Sequence, residues 1–212
     1  MKALESTAIA VIGTTLWGTT LSLLLANKNH TVKLIARTPQ EAFQLNHERR
    51  HTNRLAEYQF PDGLQVTYDW EEGLSKVGMI LFAVPCNSMR ANAKRAAAVL
   101  KGHKTVISAS KGLEIETSKR MSVVLMEELG IGEKELCVLS GPNLAREIVK
   151  GLPTSSVVSS SSDNTSSKVQ SVFNTPTFRV YTNNDVIGTE MAGALKNVIA
   201  IGAGICDGMK LG

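Results

Sequence analysis

Cysteine is scarce in this sequence. Three residues in 212, Cys86, Cys137 and Cys206, lie far apart. There is no C-x-x-C pair and no metal-ligand spacing with the four histidines, so a disulfide framework and a zinc-stapled module are both excluded. The odd count suits reduced thiols in a cytosol, and all three are expected to be small buried apolar residues. Long apolar runs are lacking too: none approaches the roughly 20 residues that span a bilayer. Lys2 precedes an apolar stretch, but Glu5 interrupts it, the run Ala8–Ile12 is short and no small-residue cleavage pattern follows. No signal peptide is expected, and the expected location is cytoplasmic. Charge of one sign is not in large excess. With 23 basic and 19 acidic residues the net charge is +4, and it is scattered. That favours anionic ligands weakly and gives no footprint for nucleic acid.

What the sequence does have is ordinary globular composition, 43% apolar and 20% charged. Its length is enough for one large domain or one and a half. Such a domain buries roughly 70% of the unfolded chain's surface and needs no staples.

The order of elements is the first strong signal. Ala8–Ile12 reads as a buried strand, Trp17–Ala26 as a helix, Asn27–His30 as a turn and Thr31–Ala36 as a second strand. Together they form a β-α-β unit of about 30 residues with parallel strands and a right-handed crossover. The alternation continues. Helices are expected over Pro39–His47, Asn87–Leu100, Ser118–Leu129, Asn143–Lys150 and Asn164–Asn174. Strands are expected over Gln65–Tyr68, Val77–Val84, Thr105–Ser108, Leu136–Leu139, Thr154–Ser159 and Phe178–Thr182. The serine-rich stretch Ser155–Ser167 reads as strand, surface loop and an Asp163-capped helix start rather than a linker. The pattern predicts an α/β fold, a doubly wound, Rossmann-type, mostly parallel sheet. From Val186 the character changes to one long helix with Met191, Leu195, Val198 and Gly202 on one face. The expected division is a dinucleotide-binding domain over 1–185 and the first helix of an all-α domain over 186–212, its remainder beyond this chain. The alternative is that this helix packs against another subunit, as in a homodimer.

The first strand-to-helix turn carries Gly13 and Gly18, spaced as the first and third glycines of G-x-G-x-x-G, with Thr15 in the second slot. Glycines there allow a tight turn and a close approach to a pyrophosphate, and the helix N-terminus supplies amides. A β-carbon at position 15 would crowd that approach. A left-handed backbone there would cost threonine on the order of 1–2 kcal/mol; its hydroxyl could offset this as a helix cap. The plain alternative is a strand-to-helix turn in a non-binding domain. Arg37, at the end of the second strand, suits a 2′-phosphate or an adenine; otherwise it is a surface arginine. Lys111, in Ser108–Thr117, sits where ligands bind such sheets and could hold an anion; otherwise it is a solvated loop lysine. Pro142 suits a first helical turn whose amides hold an anion or carbonyl, or which simply starts a helix. Lys196, inside an apolar helix, either loses hydration and exchanges protons near neutrality or snorkels to the surface.

Six segments, VIGTTLWGTT, FAVPCNSMR, SKGLEIET, LSGPNLAREIVKGLPT, FRVYTNNDVIG and GALKNVIAIGAGICDG, occur in this order over nearly the whole chain. In them the chain resembles bacterial NAD(P)-dependent glycerol-3-phosphate dehydrogenase. The resemblance implies reversible reduction of dihydroxyacetone phosphate to sn-glycerol 3-phosphate by NADH or NADPH, supplying phospholipid synthesis. It implies Lys196 as catalytic lysine and substrate contact, with Gly141 and Asn143 also touching substrate. It implies Lys111 shared by substrate and cofactor. Gly13, Leu16, Trp17, Gly18, Arg37 and Ala145 would be cofactor positions.

Two departures bear on that reading. The family turn runs G-A-G-S-W-G, here G-T-T-L-W-G, so the second glycine and the serine are replaced by Thr15 and Leu16. The family's remaining helical domain supplies an aspartate and an arginine-asparagine pair that have no counterpart in these 212 residues. The alternative function is a non-catalytic, degraded dinucleotide-binding relative. A 3-hydroxyacid or ketopantoate reductase fits the SKGLE and GALKNVIA segments less well.

Overall fold

The computed structural model describes residues 7–211; Lys2 and Glu5, which bear on a leader sequence, lie outside them. Apolar β-branched runs form the sheet, and polar caps start the helices between them. β1 (Ala8–Ile12) leads into α1 (Leu16–Asn27), β2 (Thr31–Ile35) and α2 (Pro39–Glu48), whose cap Thr38 accepts the Glu41 amide. A small excursion follows: β3 (Arg50–His51), α3 (Thr52–Leu55) and β4 (Ala56–Gln59). The main alternation resumes with β5 (Leu64–Thr67), α4 (Trp70–Leu74), β6 (Met79–Phe82) and, after a single 3-10 turn, α5 (Met89–Val99). Then come β7 (Thr105–Ser108), α6 (Met121–Leu129), β8 (Leu136–Ser140) and α7 (Ala145–Val149). The chain continues through β9 (Thr154–Ser159), α8 (Asp163–Phe173), β10 (Phe178–Asn183) and the long α9 (Val186–Gly208).

Eight strands make one sheet in the order β10-β9-β8-β7-β6-β1-β2-β5. All neighbours are parallel except β8 and β9, which run antiparallel. The chain steps outward from β1 through β2 to β5, then returns to β6 on the other side of β1. That reversal leaves a crevice at the carboxyl ends of β1 and β6, where open α/β sheets bind ligands. Two apolar layers cover the sheet. One, with α1, buries Ile9, Val11, Leu34 and Leu81; the other, with α5 and α6, buries Ala10, Ile80, Phe82 and Val124. Lys28, after α1, donates to the carbonyls of Ser171, Val172 and Asn174 at 2.7, 2.9 and 2.8 Å. It thereby satisfies the C-terminal end of α8, where a cation is favoured.

The mostly parallel Rossmann-type sheet matches the sequence reading, and several boundaries differ for local reasons. α6 starts at Met121 rather than Ser118, because Ser118 takes a left-handed turn (φ 56°) and Leu113 bridges to Arg120. α7 starts at Ala145, so Pro142 is outside any helix and offers no helix-end amides. Ser162, not Asp163, caps α8. The β3–β4 excursion and α4 were not foreseen. Of the cysteines, Cys137 is buried, with its thiol pushed up to about 12 by burial, whereas Cys86 is half-buried and Cys206 exposed. The apolar face of α9 is not core: Leu195 and Val198 are 48% and 65% exposed. By length and composition α9 could cross a membrane, although polar residues break its apolar run. The expectation of no such segment rested on uninterrupted runs.

Candidate functional site

Gly13 ends β1 with φ +114°, and a β-carbon there would lie 2.8 Å from the Ala83 carbonyl. A β-carbon on Gly18 would meet the Gly13 carbonyl at 2.0 Å. Both glycines are therefore required by close packing, and the turn is tight. Thr15 has an extended backbone (φ −65°, ψ 165°) and caps α1. The left-handed strain considered for it does not arise. Its hydroxyl accepts the Gly18 amide at 3.0 Å and donates to the Ala83 carbonyl at 2.8 Å. The Leu16 and Trp17 amides lie in the first turn of α1, where no helical carbonyl can reach them.

Two grooves meet at Thr15. One, about 500 Å³, is lined by Gly13, Thr14, Thr15, Arg37, Arg54 and Arg95 among others, and by no aspartate or glutamate. Arg37 is 79% exposed and loosely paired with Glu41 at 3.9 Å. Glu41 is the organiser here: it accepts the Thr14 hydroxyl at 2.7 Å and the Arg37 amide at 3.0 Å. Buried His51 reaches the Thr14 carbonyl at 3.1 Å from the excursion. The second groove, about 350 Å³, is lined by Thr15, Leu16, Trp17, Pro85, Lys111, Asn143 and Ala145 among others. The Trp17 indole donates to the Ala109 carbonyl at 3.1 Å, tying α1 to the end of β7.

A third groove, about 380 Å³, opens beside it between β8 and α9, with Ser140, Gly141, Asp185, Thr189 and Lys196 in its wall. Lys111 joins the two, its Nζ donating to the Gly141 carbonyl at 2.7 Å. A β-carbon on Gly193 would lie 2.6 Å from Ser140 Oγ and 3.7 Å from the Lys111 stem. The bare backbone at 193 thus lets α9 close onto both, three residues before Lys196. Burial holds the Lys111 ammonium below its ordinary range, and the Lys196 charge adds to that. Asn143 is fixed by the Ser155 carbonyl at 2.8 Å and by Ser156 Oγ at 2.9 Å.

Of the residues singled out from sequence, Leu16, Trp17, Lys111, Asn143 and Ala145 share one groove, and Gly141 and Lys196 the next. Gly13 and Arg37 face the arginine-lined groove. Gly18 lines none of the three; it is buried packing under the turn. Sequence reasoning missed Glu41, His51, Arg54 and Arg95. Only Glu41 left a local trace, the T-x-x-E pattern from Thr38 that marks a helix start.

A mostly parallel sheet, a glycine-pinched turn at its switch point and a groove on each side define an NAD-binding Rossmann-type domain. The sequence model described as NAD-dependent glycerol-3-phosphate dehydrogenase N-terminus matches residues 8–166, and the corresponding C-terminus model matches 185–212. The chain belongs to the NAD-dependent glycerol-3-phosphate dehydrogenase family. It is 48% identical over 206 residues to glycerol-3-phosphate dehydrogenase (NAD(P)+) of Dehalococcoides mccartyi, covering 96% of this chain and 57% of that protein. For the enzyme of Pelodictyon phaeoclathratiforme the identity is 45% over 205 residues, covering 96% and 62%. The crystal structure of glycerol-3-phosphate dehydrogenase from Coxiella burnetii superposes with a TM-score of 0.89 at 33% identity, covering 98% of this chain and 63% of that one. The chain thus spans about three-fifths of these relatives' length.

Proposed function

We propose that this chain carries the cofactor site and part of the substrate site of an oxidoreductase. The reaction is the interconversion of dihydroxyacetone phosphate and sn-glycerol 3-phosphate with NAD(P)H or NAD(P), in the cytoplasm, supplying glycerophospholipid synthesis. Residues 1–185 would bind the dinucleotide, and 186 onward would begin the helical substrate-binding part. The observation that carries the reading is that Lys111 bonds the Gly141 carbonyl, while Lys196 lines the groove that Gly141 also lines and is near enough for its charge to act on Lys111.

The residues present fit a dinucleotide. The Gly13 turn has no room for a β-carbon, and the first-turn amides of α1 suit a pyrophosphate. The groove lined by Arg37, Arg54 and Arg95 suits a 2′-phosphate, with Glu41 only loosely paired to Arg37, so NADP would be accepted. When bound, the nicotinamide supplies or takes the hydride. Lys196 gives a proton to the oxygen of the reduced carbonyl, or takes it in reverse, and its positive charge polarises the ketone beforehand. Lys111, with Gly141 and Asn143 behind it, holds an anionic substrate in place.

The test mixes the full-length protein with NADPH or NADH and dihydroxyacetone phosphate and follows loss of nicotinamide absorbance. Lys196→Ala should lose turnover by at least about 100-fold, the low end for a general acid–base group. Its cofactor affinity, read by nicotinamide fluorescence, should stay within about twofold, well under the ~1.4 kcal/mol of a tenfold change. Full activity in Lys196→Ala would refute the assignment.

A further inference from the structure

Glu190 is the buried residue of α9. A carboxylate in that position needs partners, since burial disfavours an unpaired charge. Its Oε1 accepts the Ser122 amide at 2.9 Å. Its Oε2 accepts Ser122 Oγ at 2.5 Å and Arg120 Nη1 at 2.6 Å. Arg120 is the N-cap of α6 and makes no side-chain cap of its own. Glu190 therefore caps α6 from a different helix, with its negative charge at the positive end of the peptide dipoles.

Arg120 also closes the loop that starts at Lys111. Leu113 and Arg120 pair across it, and the Glu114 amide donates to the Lys119 carbonyl at 2.9 Å. Lys196 lies six residues beyond Glu190, about one and two-thirds turns along the same helix. Thr189 also pins α9, through Ser159 Oγ at 2.6 Å, but to β9 rather than to this loop. Lys111 and Lys196 carry like charge and are close enough for one to act on the other, so holding them beside the same groove needs an external restraint. We infer that Glu190 is a positioning residue: by gripping Arg120 and Ser122 it locks α9 to the Lys111 loop and sets Lys196 against Lys111. The inference rests on the reading of Lys196 as the proton donor.

The test compares full-length Glu190→Gln, Glu190→Asp and Ser122→Ala with the unaltered protein. The glutamine keeps the size but loses the charge and offers only one oxygen to three donors. A short bifunctional amine reagent should join Lys111 to Lys196 in the unaltered protein, read by peptide mass spectrometry. In Glu190→Gln that product should fall to background. kcat should fall about 100-fold, the cost of an ångström's misplacement, with cofactor affinity unchanged. Glu190→Asp should recover part of both losses. Ser122→Ala, which keeps the ion pair, should give an intermediate cross-link yield and covers the case in which Glu190→Gln does not fold. No Lys111–Lys196 product in the unaltered protein, or an undiminished one in Ser122→Ala or folded Glu190→Gln, overturns the inference. Cross-linking needs no turnover. A cross-link lost with the charge, in a protein that never transfers hydride, would sustain the clamp and sink the catalytic reading instead.

Discussion

At position 15 a threonine replaces the glycine whose missing side chain usually admits a pyrophosphate. Its backbone is relaxed, and its hydroxyl bonds both Gly18 and Ala83. The side chain has become part of the turn's framework. Thr15→Ala should therefore destabilise the protein by about 1 kcal/mol for the lost cap and a further ~1 kcal/mol for the lost bond to Ala83. Thr15→Gly should restore close approach for a ligand and tighten dinucleotide binding. It forfeits the hydroxyl's bonds, but glycine is itself tolerated as a cap. Denaturant midpoints and a fluorescence titration would separate the two effects. An alanine variant as stable as the parent would show that the cap contributes nothing.

At the scale of elements, the loop between β7 and α6 is held by charge. Arg90 of α5 donates to Glu114 at 2.7 and 2.8 Å and to Glu127 at 3.0 Å, and also pairs with Glu128. Arg90 holds the Glu114 carboxyl at about 2, against an ordinary 4.5. A carboxyl depressed on folding stabilises above the unfolded value, and that contribution fades as the pH falls towards the folded one. Stability measured by denaturant midpoint should therefore drop between pH 4.5 and about 2, and Arg90→Gln should flatten that limb. An unchanged limb in the variant would put the acid sensitivity elsewhere.

Legibility in the sequence follows the same division between elements. Ala8–Ile12 and Thr105–Ser108 were readable to the residue because buried strands carry compact apolar runs, and Thr154–Ser159 because its Val157-Val158 pair stands out among serines. The β3–β4 pair was not, since its strands are short, mostly solvent-facing and held by polar contacts such as Arg49 with the Phe60 carbonyl at 2.8 Å. The reversal of β9 was also invisible: strand direction depends on the path of residues 141–153, not on the strand's own composition. In the candidate site, Gly13, Lys111 and Gly141 stand just after strand ends, where the sequence pointed to them. Glu190 did not, because its partners stand about 70 positions away in the chain.

At the scale of the whole molecule, two neutral histidines brace opposite ends of β1. His30, 2% exposed, follows α1 and accepts the Thr7 amide through Nδ1 at 3.3 Å. His51, 6% exposed, holds the Thr14 carbonyl at the other end. Burial pulls both below their ordinary 6.5, with Lys28 adding to the effect at His30 and Arg54 at His51. Below pH 6.5 the unfolded chain takes up protons that the folded one resists, so stability should begin to fall there, well before the Glu114 limb near 4.5. His51→Asn removes one titrating group, and the early limb should shrink by that share while the later one stays. Loss of His51 also frees the Thr14 carbonyl, so dinucleotide affinity in the same variant should weaken together with the turn it supports. A stability curve flat from pH 7 to 5 in the parent protein would mean that both rings accept their protons without leaving their places, and that β1 is braced by its apolar layers alone.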